Sequence, residues 1–93
     1  MNKIKAIVMD EKDNVATLLL RIKADDQVQI AVGERYFTTQ VKESIPYGHK
    51  IALTDIEKGE KIIKYGEVIG RAINDIKKGT HVHVHNIESL CIL

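Results

Sequence analysis

The chain has no tryptophan, one proline, one cysteine, three tyrosines and one phenylalanine. Each scarcity excludes something. A lone Cys91 rules out an intrachain disulfide and gives no sign of an oxidising compartment. Flanked by Leu90 and Ile92, it reads as an inert buried thiol rather than a nucleophile. So few aromatic rings argue against a surface that stacks nucleic-acid bases. A formal net charge of +1 predicts no bulk attraction to DNA, RNA or an acidic membrane. Long apolar runs are missing too: the start offers Ala6-Ile7-Val8-Met9 before an acid, and Leu18-Leu19-Leu20 is strand-sized. A signal peptide needs about 7–15 apolar residues and a membrane helix about 20, so a cytoplasmic protein is expected. There is no glycine loop leading into Lys-Ser/Thr, no serine-nucleophile signature and no recognisable pair of catalytic carboxylates.

What is present suits a single soluble domain over residues 1–93, 44% hydrophobic and 29% charged. A domain near this length buries only about 60–65% of its unfolded surface, so it is not expected to enclose a substrate alone. Residues 3–9, 15–22, 28–32 and 36–41 are short stretches rich in Val, Ile, Leu and Thr, bounded by Asp, Asn, Gly or charged clusters. They predict strands and a mostly β fold. The stretch 15–22 is also long enough for a helix, and strand is the reading taken.

The second half repeats itself. Ala52-Leu53-Thr54-Asp55-Ile56-Glu57-Lys58-Gly59 aligns with Ala72-Ile73-Asn74-Asp75-Ile76-Lys77-Lys78-Gly79 at a spacing of 20 residues. Each unit fits a strand end, an Asp-led turn and a glycine able to take positive φ. Two units are too few for a solenoid, so a bent, pseudo-symmetric β structure with equivalent turns is expected. Pro46, in Ile45-Pro46-Tyr47-Gly48, fits a rigid turn that aims His49 and Lys50 at the next strand.

All four histidines fall in this half: His49, then His81, His83 and His85 in Thr80-His81-Val82-His83-Val84-His85-Asn86. Strict alternation predicts a strand over 80–86, with Val82 and Val84 facing the core and the three imidazoles on the opposite, more exposed face. Neighbouring imidazoles would be rooted about 6.6 Å apart and the outer pair about 13 Å apart. Metal–nitrogen bonds are about 2.0–2.1 Å, so two of them can grip one ion but three collinear ones cannot; a further ligand is needed. His49 is the internal candidate. A solvated or interface-packed histidine face is the competing reading. Lys58, Lys61, Lys77 and Lys78 read as a solvated rim.

Four segments occur together in the order of one family's motifs: Asp13-Asn14-Val15-Ala16, Ile45-Pro46-Tyr47-Gly48-His49-Lys50-Ile51-Ala52, Tyr65-Gly66-Glu67-Val68-Ile69-Gly70 and His83-Val84-His85-Asn86. Through them the chain resembles the amino-terminal module of the altronate/galactarate dehydratase family, which also includes the small subunit of sulfolactate sulfo-lyase. The resemblance covers about residues 10–90. It implies a SAF domain, a β-clip fold related to antifreeze-like domains. It further implies the small subunit of a hydro-lyase that eliminates water (or sulfite) from a sugar acid or related hydroxy acid together with a large dehydratase subunit. The cofactor implied is a divalent metal, iron(II) or manganese(II).

Carried over residue by residue, the resemblance marks His83, His85 and Lys50 as catalytic, His49 and Asn86 as substrate-binding, and His83, His85 and His49 as metal ligands. His81 has no motif counterpart and is expected to be a spectator. Asp25-Asp26 departs from the pattern where relatives often carry a glycine turn, which puts only the local turn shape in question. The alternative from a different class is a non-catalytic SAF module that binds a carbohydrate or a partner protein. A third reading is a small cupin-like metalloprotein, although that fold needs more strands and further downstream ligands. Exposed strand edges leave pairing into a homo-oligomer open.

Overall fold

The structure, a computed structural model, describes residues 4–90, so Cys91 lies outside the described residues. Nine strands and no helix make up the described chain: β1 (Ile4–Val8), β2 (Val15–Leu18), β3 (Gln27–Val32), β4 (Arg35–Gln40), β5 (Lys50–Ala52), β6 (Lys61–Lys64), β7 (Glu67–Ala72), β8 (His81–Val82) and β9 (Ile87–Ser89). The expected mostly β, SAF-type fold is what the chain adopts. Six strands form one sheet in the order β4-β3-β1-β2-β5-β8, and β6-β7-β9 form a second. Within the first, β1 and β3 run parallel while the other neighbours are antiparallel.

The repeated segments do make equivalent turns, and they do so by gripping each other. Ile56 N–H donates to the Ile76 carbonyl and Ile76 N–H to the Ile56 carbonyl, both at 2.7 Å. Gly59 N–H donates to Ala72 O at 2.8 Å and Gly79 N–H to Ala52 O at 2.9 Å. The aspartates cross over as well, with Asp75 Oδ1 accepting from Lys58 N–H at 2.8 Å and Asp55 Oδ1 from Lys78 N–H at 2.9 Å. This is a clip with internal two-fold pseudo-symmetry.

Another clip of the same design, the first in chain order, occupies the first half, where the sequence shows no repeat. Residues 18–25 and 41–48 clasp through Ile22 and Ile45, whose N–H and carbonyl groups exchange bonds of 3.0 and 2.9 Å. Asp25 N–H donates to Val41 O at 2.8 Å and Gly48 N–H to Leu18 O at 3.0 Å, as the glycines of the other clip do. All four units bury their first residue (Leu18, Val41, Ala52, Ala72) and their fifth, always isoleucine. All four end in a left-handed residue: φ is 73° at Asp25, 81° at Gly48, 93° at Gly59 and 84° at Gly79. Asp25 therefore takes the glycine conformation in spite of its Cβ, which aspartate tolerates better than most residues.

The strand over 15–22 is a correction. Pairing stops at Leu18, because the chain must bend before Ile22 to reach its partner Ile45. The strand over 80–86 is likewise corrected below. Two apolar clusters result, one around Leu18, Ile22, Ile30, Ile45 and Ile51, the other around Val15, Ile56, Ile62, Ile76 and Val82. The Asp13-Asn14 pair ties the sheets together. Asp13 accepts from Tyr65 N–H at 3.0 Å and Gly66 N–H at 2.8 Å. Asn14 accepts from Ile63 N–H and donates to Lys61 O, both at 2.8 Å.

The left-handed positions generate a stability prediction. A Cβ at Gly59 would meet nothing within 4 Å, so Gly59→Ala should cost only the conformational penalty of about 1–2 kcal/mol. A Cβ at Gly79 would lie 2.5 Å from the Gln40 carbonyl oxygen, so Gly79→Ala should cost distinctly more. Asp25→Gly should be neutral or stabilising by less than about 1 kcal/mol, since relieved strain is offset by unfolded-state entropy. Urea unfolding checks the order; a Gly79→Ala protein as stable as the parent contradicts the clip geometry.

Candidate functional site

The clips decide where the histidines go. His49 follows the left-handed Gly48 of the first clip, and its carbonyl is held by Leu18 N–H at 2.9 Å. His81 follows the second clip by one residue and opens β8, which pairs antiparallel with β5 in the register Ile51–His81 and Lys50–Val82. Two segments 32 residues apart in sequence are thereby laid side by side, and His49 Nδ1 stands 2.8 Å from His81 Nε2. At that distance one nitrogen donates and the other accepts, so the pair shares one proton.

The third imidazole arrives through a turn rather than a strand. β8 ends at Val82, and residues 83–86 reverse direction. Asn86 causes this: its Oδ1 accepts from His83 N–H at 3.0 Å and its Nδ2 donates to the His81 carbonyl at 2.8 Å. The expected alternation is therefore broken after Val82. Val82 is buried, but Val84 is 78% exposed instead of facing the core. The turn folds His83 back over His49, with ring centroids 3.9 Å apart and planes 14° from parallel.

Together His49, His81 and His83 offer ring nitrogens that all lie within 4.8 Å of one another, and each residue is half-buried. His85 is exposed and tilts against His81, centroids 5.0 Å apart. The structure thus groups His81, set aside on motif grounds, with His49 and His83, and leaves His85 outside that group of three. Asn86, expected at the substrate, has both ends of its amide committed to backbone. Lys50 lies in β5, next to His49. Sequence reasoning missed Glu43, whose Oε2 accepts from His81 N–H at 3.2 Å from 38 residues away. No local pattern signals that contact.

The electrostatics weaken protonation at two of these imidazoles. Burial chiefly, then His85, His49 and His83, hold the His81 pKa below the ordinary imidazole value, with Glu43 pulling the other way. His83 is lowered by burial first, then by His49, Lys50 and His85. Burial, then the Lys64 charge, lowers Lys50 in the same sense. Neutral imidazoles with free lone pairs can accept protons or ligate a metal. The donor set of three imidazoles fits a divalent transition metal in type.

Against this geometry the family is plain. The description of the altronate/galactarate dehydratase SAF domain matches residues 4–90, and the chain belongs to that family. It is 35% identical over 91 residues to a (2R)-sulfolactate sulfo-lyase subunit alpha from Chromohalobacter salexigens, covering 92% of this chain and 95% of that subunit. It is 43% identical over 74 residues to an altronate dehydratase from Escherichia coli, covering 80% of this chain but 14% of that enzyme. A galactarate dehydratase (L-threo-forming) from Escherichia coli is 47% identical over 51 residues, 9% of its length. Among the described residues no helix is long and apolar enough to cross a membrane.

Two measurements follow. Asn86→Ala should destabilise the chain by about 2 kcal/mol, since two backbone groups of the histidine turn lose their partner, whereas the exposed His85→Ala should stay within about ±0.5 kcal/mol. Because folding lowers the His81 and His83 pKa values, the unfolded state binds more protons as pH falls through about 6.5. Metal-free chain should therefore lose stability on acidification from neutral pH to about 5, and a His81→Ala, His83→Ala double variant should show a flatter profile. An unchanged slope in the double variant means that groups other than these two imidazoles take up the protons.

Proposed function

We propose that this chain is the small subunit of a lyase that eliminates water from a sugar acid of the altronate or galactarate type, completed by a separate large subunit. The observation that carries the reading is the correspondence along 95% of a relative that is itself a subunit. The dehydratase relatives, of which this chain spans about a seventh or less, carry the remaining length in one polypeptide. A second reading, elimination of sulfite from a sulfonated hydroxy acid, is favoured by that same relative.

Both eliminations share one demand. A base removes the proton α to a carboxylate while a group on the neighbouring carbon departs. In this reading His49, His81 and His83 hold the divalent metal, iron(II) or manganese(II). Bound there, the ion would supply Lewis-acid polarisation of a carboxylate or leaving oxygen. The lowered pKa values of His81 and His83 favour the unprotonated imidazoles that ligation requires. His85, exposed and outside the group of three, and Lys50, whose ammonium is weakened by burial, are the proton-transfer groups. Asn86 acts on the substrate indirectly, by fixing the turn that carries His83. The large subunit supplies the opposing wall, which excludes water from an otherwise open histidine face.

Purified chain supplied with ferrous or manganous ion should not turn over altronate, galactarate or (2R)-sulfolactate, and adding the large subunit should produce activity toward one of them. Turnover by the chain alone at about 1 s⁻¹ or faster contradicts the subunit reading. In the assembled enzyme His83→Ala should lower kcat/KM at least about a hundredfold. A fully active, metal-replete His83→Ala enzyme removes His83 from the site.

The ligand set has its own test on the isolated chain, titrated with cobalt(II) and followed by its visible spectrum. His81→Ala should weaken binding at least about tenfold, a typical cost of disturbing a metal site, while His85→Ala should leave it unchanged. The opposite order restores the His83–His85 pair expected from the motif.

A further inference from the structure

β4 is an edge strand of the six-stranded sheet, and no charge or proline blunts its centre, although Gly79 covers its carboxy-terminal end, its carbonyl accepting from Lys42 N–H at 2.9 Å. Its central residues Tyr36-Phe37-Thr38-Thr39 carry no charge and no proline, and Tyr36 is 62% exposed. Natural edges are ordinarily protected by such charges, prolines or bulges, so a bare one marks a surface that takes a partner strand. The β3–β4 hairpin turns through Gly33-Glu34, with Val32 opposite Arg35 as its closing pair. In a two-residue hairpin the closing pair exchanges hydrogen bonds. Arg35, Phe37 and Thr39 therefore turn their backbone groups toward β3, while Tyr36, Thr38 and Gln40 turn theirs to the open edge.

The two ends of this edge carry opposite charge. At its amino-terminal end sits the exposed Glu34 of the hairpin tip. Beyond its carboxy-terminal end opens a cleft of about 530 Å³ lined by Lys42, Lys77 and Lys78, with Asp55 and Thr80. One Asp55 oxygen is already taken by Lys78 N–H. Neither Glu34 nor any of the three lysines enters an ion pair among the described residues.

We propose that a second copy of this chain pairs antiparallel with β4 through a two-fold axis at Thr38, seating its Glu34 in the lysine cleft. Two-fold pairing must place a residue opposite itself, and the outward-facing set allows Thr38 to do so. That register sets Tyr36 opposite Gln40 of the second copy and Glu34 opposite its Lys42, twice by symmetry. Gly79 already stands beside the Gln40 carbonyl, so the ladder is short and centred on Thr38, and the adjoining cleft takes the hairpin tip. Arg35 lines a different cleft, with Glu11 and Val8, and so does not crowd the lysines. None of His49, His81 and His83 lines the lysine cleft, so this pairing does not rest on the lyase reading.

The test is the oligomeric state of the full chain, measured by sedimentation velocity across protein and salt concentration. A dimer that weakens as salt rises is expected. Thr38→Pro removes the outward N–H at an edge position where proline is tolerated, and should yield monomer with an unchanged circular dichroism spectrum. Glu34→Lys should raise the dimer dissociation constant at least about tenfold, and adding Lys42→Glu should restore much of it, because the reversed pair meets again. A chain that stays monomeric at high micromolar concentration overturns the proposal. So does a dimer indifferent to both single variants, or a monomer whose Thr38→Pro variant fails only in binding the large subunit.

Discussion

Two isoleucines that bond each other's backbones hold this molecule together. Ile56 and Ile76 exchange N–H···O bonds while burying their side chains, and Ile22 and Ile45 repeat the arrangement. A backbone bond alone contributes only about 0.5–1.5 kcal/mol, but each of these is coupled to a buried side chain and a left-handed turn, so none can be lost singly. The clip lets a chain of short strands fix long-range neighbours. It also sets the entry points of β5 and β8, and those entry points are where His49 and His81 stand.

The site inherits its character from that placement. Burial weighs first against protonation of His81 and His83, and the imidazoles that backbone pairing brings beside them add to that pressure. The result is a face rich in ring nitrogens, with Lys50 at its margin. Its three grouped imidazoles are each only half-buried, and Val84, between His83 and His85 in the chain, is exposed. Such a face can grip or deprotonate, but it cannot shield a reaction from water. The proposed small-subunit role fits such a face: this chain would carry the imidazoles and a large subunit would enclose them.

The sequence makes the second clip legible because Ala, Asp, Ile, Lys and Gly recur in place, and aspartate and glycine are the residues its turns demand. The first clip is illegible for the converse reason. It takes Asp25 where the other clip has glycine, and Arg21 and Ser44 where the other has the aspartates that accept crossing N–H bonds, a role no guanidinium can fill, so identity vanishes while the backbone clasp persists. At the site, the family motif drew attention to His83, His85 and Asn86 and away from His81. The His-Val-His-Val-His alternation suggested a flat strand because period-two patterning carries no signal for a side chain that bends its own backbone. Asn86 is that side chain, and its two hydrogen bonds bring His83 rather than His85 over His49. Nothing in a linear reading pairs His49 with His81, since that contact exists only through the register of β5 and β8.

Everything at the site depends on the two clips bringing His49 and His81 into one proton-sharing pair. Ring-nitrogen NMR of the metal-free chain, labelled with ¹⁵N at its histidines, tests this most directly. A coupling is expected across the N–H···N bond joining His49 Nδ1 to His81 Nε2, with both rings held in a single tautomer, and it should be weakened or lost in Gly79→Ala, which disturbs the clip that delivers His81. Independent His49 and His81 rings, each averaging its tautomers and indifferent to Gly79, would contradict it.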